Sequence, residues 1–117
     1  MKLSIPTQLI GLSAIGLAAV AFSATSYAAV NADAAAALAK KSGCLTCHAI
    51  DKDKMASSFK KVAAKWKGKA DAEAKLTDLL TKAPKVKKAD GTEEEHKVIA
   101  TKDAAEIKNV VDWILSQ

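Results

Sequence analysis

The 117-residue chain contains no arginine, and all 18 of its basic residues are lysine. It has two cysteines, two histidines and few aromatic side chains, 4% of the total. Each shortage excludes something. Two cysteines cannot staple a disulfide-dense scaffold. Without arginine's planar fork, and with so few rings for bases to stack on, the positive balance does not point to nucleic acid. Leu9–Phe22 is an apolar stretch of 14 residues interrupted by Gly and Ser, short of the ~20 that a membrane-spanning helix needs. Large apolar side chains are scarce as well. The 50% hydrophobic content includes 25 alanines, and from Ala29 onward only 20 Val, Ile, Leu, Met, Phe or Trp residues are present. The length fits one domain, and composition excludes a multidomain enzyme or a collagen-like chain. A domain this small ordinarily needs a metal, a cofactor or a staple to complete its core.

The first segment is expected to be an address. Met1-Lys2 is a short positive start, the apolar stretch follows, and Ser26-Tyr27-Ala28 supplies small residues at the spacing of signal-peptide cleavage. Residues 1–28 are therefore expected to be an export signal cut after Ala28, with 29–117 as the working domain. The expected destination is a bacterial periplasm, and a retained signal would be the chain's link to a membrane.

Charge is unevenly spread. From Lys40 to Lys88 there are 14 Lys and 5 acids, whereas from Asp90 to Asp112 there are 3 Lys and 7 acids. The basic half reads either as a solvated face or as a docking surface that steers an acidic partner. The group Lys60, Lys61, Lys65, Lys67 and Lys69 is the candidate rim.

Hydrophobic periodicity predicts an all-α domain of about four helices. The first is capped by Asn31 or Asp33 and stopped by Gly43. The second starts at Ser57 or Ser58, carries Phe59, Val62, Ala63 and Trp66 on one face, and ends at Gly68. Asp71 caps a third, with Leu76, Leu79, Leu80 and Ala83 inward and Pro84 as its stop. The fourth follows Thr101, with Ala104, Ile107, Val110, Val111 and Ile114 as the buried stripe. Trp66 and Trp113 lie on apolar faces, as core or cofactor-edge packing. Residues 85–100 read as a polar connector with Asp90-Gly91 as a turn, and Glu93-Glu94-Glu95-His96 is its least ordinary part.

Cys44-Leu45-Thr46-Cys47-His48 is a Cys-x-x-Cys-His motif, the attachment signature of c-type haem. Two thiols one helical turn apart can reach both vinyl groups of one porphyrin, and the next residue offers its imidazole to the iron. A redox dithiol would need a βαβ setting, which the helical patterns do not provide. A zinc site of two Cys and two His would have to span 48 residues from His48 to His96, unlike the short spacing of common fingers. A plain disulfide would leave His48 without a role. The cofactor expected is one covalent haem c, held by Cys44 and Cys47, with His48 as the proximal iron ligand.

These residues are similar to those of the small bacterial class I cytochromes c of the c551/c8 type. The resemblance runs from Leu38-Ala39-Lys40-Lys41-Ser42-Gly43-Cys44 through Cys47-His48-Ala49-Ile50-Asp51. It resumes at Phe59-Lys60-Lys61-Val62-Ala63-Ala64-Lys65 and closes with Ile107 to Gln117. It implies a class I cytochrome c fold in which the first helix crosses the last, near Leu38, Ala39, Val110 and Trp113, while middle helices enclose the haem. Two departures stand out. Relatives carry Gly-Pro where this chain has Ala56-Ser57, and the Pro carbonyl there accepts from the proximal imidazole, so an altered proximal hydrogen bond is expected. Relatives also supply a distal Met, and this chain has no Met after Met55. His96 stands about where that Met falls.

The sixth iron position is accordingly expected to be filled by His96, giving a bis-histidine centre with a lowered potential. Met55 is an alternative ligand, and an iron left open, or bound by water or Lys, is a third. An electron carrier requires firm ligands in both oxidation states, whereas a diatomic-gas-binding or sensing module requires an open or releasable distal position. The expected function is one-electron transfer between periplasmic redox proteins by a monomer. No distal acid–base group or substrate cavity suggests an enzyme.

Overall fold

The computed structural model describes residues 29–117, so the expected export signal at residues 1–28 lies outside the described residues. Helix α1 spans Ala32–Lys41. Asn31 caps it, its side chain accepting from the Ala34 amide at 3.0 Å, and Asp33 in the first turn and Lys40 and Lys41 in the last complement the helix dipole. Ser42 and Gly43 end it. The Ser42 hydroxyl donates to the Leu38 carbonyl at 2.7 Å, and Gly43 takes a left-handed φ of 76°, which glycine adopts without the steric cost of a Cβ.

One turn later the chain forms α2, Cys44–Cys47. Helix α3, Phe59–Trp66, is capped by Ser58, whose side chain accepts from the Lys61 amide. Helix α4 spans Ala72–Lys82 and α5 spans Ala104–Leu115. The α5 cap is Asp103, accepting from the amides of Ala105 at 2.8 Å and Glu106 at 3.2 Å. Asp71 occupies the cap position of α4, but its side chain makes no capping bond there. Ala83 (φ 48°) and Pro84 terminate α4.

The connector is more ordered than its composition suggests. Residues 85–87 form β1 and residues 93–95 form β2, an antiparallel hairpin pairing Lys85 with Glu95, Val86 with Glu94 and Lys87 with Glu93. Among the described residues there are therefore five helices, one of them a single turn, and a two-stranded ribbon. The domain stays predominantly helical.

The core lies where α1, α3 and α4 pack on α5. Ala35 and Ala39 of α1 are fully buried, as are Val110 and Val111 of α5. Alanine at i and i+4 leaves α1 a flat stripe that lets the two helices approach closely. At the start of this crossing the Asn31 amide donates to the Asn109 side-chain oxygen at 2.8 Å, and the Asn109 amide group donates back to the Asn31 carbonyl at 2.9 Å. Phe59 meets Trp113 edge to face, with centroids 5.4 Å apart. Ile107, Val110, Val111 and Ile114 are buried as the α5 periodicity requires, while Ala104, in the first turn, is exposed.

Candidate haem site

A cavity of about 370 Å³ opens between α2, α3, α4 and the hairpin, a volume in the ordinary range for a bound small molecule. Cys44, Cys47, His48, Met55 and His96 all line it. Val62, Trp66, Leu76 and Leu79 supply apolar walls. A smaller apolar recess of about 70 Å³ shares Cys44, His48, Val62, Leu76, Leu79 and His96 with it and reaches Phe59 and Ile114, so the cleft runs down to the core.

The two cysteines are placed by α2, which carries one at each end of a single turn. Both are half-buried free thiols. Burial pushes the Cys44 thiol above its ordinary pKa, its own backbone hydrogen bond opposes that, and neighbouring Cys47 adds to it. His48 leaves the helix in an extended conformation (φ −108°, ψ 151°). The following loop is folded back beneath it. The Ala56 amide donates to the Cys47 carbonyl at 3.0 Å, the Phe59 amide to Ala49 at 2.9 Å, and the Ser58 amide to the Asp53 carboxylate at 2.9 Å.

That loop brings the Ser57 carbonyl to 2.7 Å from His48 Nδ1. A carbonyl only accepts, so Nδ1 carries the proton and Nε2 keeps its lone pair. The altered proximal bond expected from the absent Gly-Pro does not occur, because the acceptor is a backbone atom held in place by the loop rather than by the side chain at position 57. Burial lowers the His48 pKa; the Ser57 hydrogen bond opposes this, and the neighbouring His96 lowers it further. The ring also stacks on Phe59, with centroids 5.0 Å apart and planes 18° from parallel.

His96 is brought opposite by the hairpin, following directly after β2. Its amide donates to the Pro84 carbonyl at 2.8 Å, and Nδ1 donates to the Lys97 carbonyl at 2.8 Å. The segment beyond is fastened by the Ile99 amide to Leu80 at 2.8 Å and by the Ala100 amide to the Ser42 hydroxyl at 2.8 Å. The Lys97 stem packs over Gly43, where an added Cβ would sit 3.1 Å from Lys97 Cδ. The absent side chain at Gly43 thus leaves room for the segment that carries His96.

The two imidazoles face one another across the cleft, with centroids 6.4 Å apart and planes tilted by 53°. An imidazole nitrogen binds a metal at about 2.0 Å, which puts the ring centre about 3 Å from the ion and two opposed rings about 6 Å apart. The observed centroid spacing is of that length, and the apolar walls suit a porphyrin. Among the described residues no group of three or more His, Cys, Asp or Glu is arranged to hold a metal ion. Met55 lines the cleft and its carbonyl accepts from the Ala89 amide at 2.9 Å, but the group facing the His48 ring is His96.

The lysines divide into two sets. Lys61, Lys65, Lys87, Lys88 and Lys97 line the cleft. Lys60, Lys67 and Lys69 line a separate surface groove with the C-terminal residues. Trp66 borders both, with the ammonium groups of Lys65 and Lys69 at 5.7 and 5.1 Å from its ring centre. The contribution of Lys87, Lys88 and Lys97 was not visible in the sequence, because the hairpin that aims them was not.

Comparison with known proteins follows the same lines. Residues 32–117 match the family profile described as Cytochrome c. Cytochrome c-551 of Pseudomonas aeruginosa is 43% identical over 49 residues, 42% of this chain and 47% of that protein; the match spans about half the length of that relative. The crystal structure of the class 1 cytochrome MtoD from Sideroxydans lithotrophicus ES-1 superposes with a TM-score of 0.72 at 55% identity, covering 75% of this chain and 97% of that one. Wild-type Nitrosomonas europaea cytochrome c552 superposes with a TM-score of 0.54 at 28% identity, over 69% of this chain and 96% of that one.

Proposed function

The chain belongs to the cytochrome c family, and from that premise we propose that it is an exported monohaem one-electron carrier with bis-histidine iron. Proteins of this family carry covalent haem c, transfer electrons rather than catalyse reactions on substrates, and work with redox partner proteins. In the proposed site Cys44 and Cys47 are the thioether anchors, His48 is the proximal ligand and His96 the distal one. When bound, the haem supplies a one-electron iron couple.

The observation that carries this assignment is the pair of opposed imidazoles 6.4 Å apart, each with Nδ1 engaged by a backbone carbonyl. Those carbonyls fix the tautomer of each ring and leave each Nε2 with a free lone pair. Two imidazoles donate more strongly than an imidazole and a thioether, so the potential lies below that of a His/Met site. Phe59, Val62, Leu76 and Leu79 form the apolar inner side of the cleft, and Lys61, Lys65, Lys87, Lys88 and Lys97 line it together with Glu94 and Glu95. The excess of lysine there suits an acidic redox partner, whose approach a positive field would accelerate.

No helix among the described residues is long and apolar enough to cross a membrane. The reading of an exported, periplasmic carrier rests on the export-signal pattern ending at Ala28. Exposed large apolar side chains among the described residues are Val30, Ile50 and Val98. A second reading, a diatomic-gas-binding module, draws on one feature. His96 is half-buried but stands between exposed Glu95 and Lys97, where it could detach on reduction.

Absorption and EPR spectra of the mature haem protein in both redox states test the assignment. Six-coordinate low-spin iron in both states, without a Met–iron charge-transfer band, is the expected result. A Met–iron band would move the distal role to Met55. A high-spin reduced form would favour the gas-binding module.

A further inference from the structure

Haem ligation by itself asks nothing of the Glu93-Glu94-Glu95 run, yet that run is the whole of β2. Its partner β1 is Lys85-Val86-Lys87. The register sets Lys85 opposite Glu95 and Lys87 opposite Glu93, so two of the three rungs carry opposite charges. Lys88, just beyond β1, reaches Glu94 at 3.3 Å, and its side chain is only 23% exposed. Lys and Glu are poor strand formers, and a three-residue ladder has few backbone bonds to hold it. Charge complementarity across the rungs is the interaction this ribbon has in quantity.

The ribbon ends on the candidate ligand. His96 follows β2 directly, and its amide bond to the Pro84 carbonyl closes the open end of the hairpin at 2.8 Å. On its C-terminal side the segment is fastened to α4 and α1 through Ile99 and Ala100. On its N-terminal side the fastening is the hairpin itself.

We propose that Lys85, Lys87 and Lys88, facing Glu93, Glu94 and Glu95, are positioning residues for His96, their opposite charges holding the hairpin shut and so holding the imidazole across from His48. This rests on His96 as the distal ligand. Among these residues Lys88 and Glu94 close as an ion pair; one such pair is weak, and the opposite charges that the register sets face to face, Lys85 with Glu95 and Lys87 with Glu93, add to it through the same lever. The ladder thereby sets the fraction of molecules whose distal position is open. That fraction multiplies the affinity for any external ligand needing the position.

Carbon monoxide binding to the reduced haem protein reads this fraction, and because the probe is neutral it does not respond directly to altered surface charge. Four proteins are compared with the natural chain: the Lys-strand reversal K85E/K87E/K88E, the Glu-strand reversal E93K/E94K/E95K, the combination of both, and His96→Ala. Each single-strand reversal is expected to raise carbon monoxide affinity roughly three- to thirty-fold, with the increase shrinking in high salt. The combination restores opposite charges in swapped positions and should return to within roughly twofold of the natural chain. A side chain needed only for its shape would not be rescued in this way. If either single reversal leaves the affinity unchanged, or the combination stays as open as the single reversals, the ladder has no hold on His96 and the proposal falls. If His96→Ala binds carbon monoxide no more tightly than the natural chain, His96 is not the distal ligand, and the ligand assignment falls together with the proposal.

Discussion

His48 donates its Nδ1 proton to the carbonyl oxygen of Ser57 at 2.7 Å. The bond uses only the backbone of residue 57, and the loop that presents it is held by Ala56, Ser58 and Phe59 amides. The Ser57 side chain is therefore dispensable for tuning the proximal imidazole. Ser57→Ala should leave the absorption spectrum and the midpoint potential of the haem protein unchanged. A measurable shift in potential would mean that the hydroxyl, and not the carbonyl, sets the ring's electron donation.

His96→Ala removes the only imidazole facing His48. Low-spin iron needs a strong-field ligand on both faces, so the variant should show high-spin absorption and EPR signals while keeping its covalent haem. Added imidazole should restore the low-spin spectrum by filling the vacated position. A variant that stays low-spin without it would remove His96 from the site.

Local chemistry explains which parts of the fold could be read in advance. Asn31 and Ser58 cap helices through bonds to amides three residues on, a signal contained within a few letters of sequence. The α5 stripe was readable because Ile107, Val110, Val111 and Ile114 repeat at the helical period, although Ala104 lies too near the start of the helix to be covered. The hairpin was not readable by alternation, since Lys-Val-Lys and Glu-Glu-Glu carry almost no apolar pattern. Its sign was the complementarity of the two runs about Asp90-Gly91, where Gly91 takes a φ of 85° and Asp90 accepts from the Thr92 amide at 2.9 Å. Cys44, Cys47 and His48 stand out as a motif, whereas His96 and the carbonyl of position 57 come into view only through the resemblance, the latter because any residue type supplies a carbonyl.

Ala39 is fully buried where α1 crosses α5, whereas Ala37 on the same helix is exposed. A larger side chain at position 39 has to push α1 away from Val110 and Val111 or take a strained rotamer. Ala39→Leu is expected to cost about 1–3 kcal/mol of unfolding free energy. Ala37→Leu should change stability by less than about 0.5 kcal/mol. Denaturant titration of both haem-loaded variants checks this, and equal stabilities would show that the crossing is not closely packed.

Asp53 pairs with the Lys61 ammonium and accepts from the Ser58 amide at the start of α3. The Lys61 hydrogen bond, then the Ser58 amide, hold its carboxyl below the ordinary aspartate pKa, against a small opposing effect of desolvation. A depressed folded-state pKa stabilises the fold above the unfolded-state value of about 4 and loses that contribution as pH falls through the folded-state value. The natural chain should therefore be more stable than Asp53→Asn at pH 6, with the difference disappearing in more acidic solution. A difference that stays constant from neutral to acidic pH would show that the carboxylate charge is not what holds the loop.

Removing the haem tests whether the cofactor completes the core. The cleft of about 370 Å³ is bordered by Val62, Trp66, Leu76 and Leu79, and the buried set beneath it is small: alanines, a few branched side chains, Phe59 and Trp113. Domains of this kind have a total margin of only about 5–15 kcal/mol, and without the cofactor those apolar walls face water. The double variant Cys44→Ala/Cys47→Ala, produced without haem attachment, should retain part of its far-ultraviolet helical signal. The same protein should lose the near-ultraviolet dichroism of Trp66 and Trp113 and melt without a cooperative transition. A haem-free protein with sharp near-ultraviolet bands and a cooperative melt would show that the alanine-rich helices pack to a native core without the cofactor.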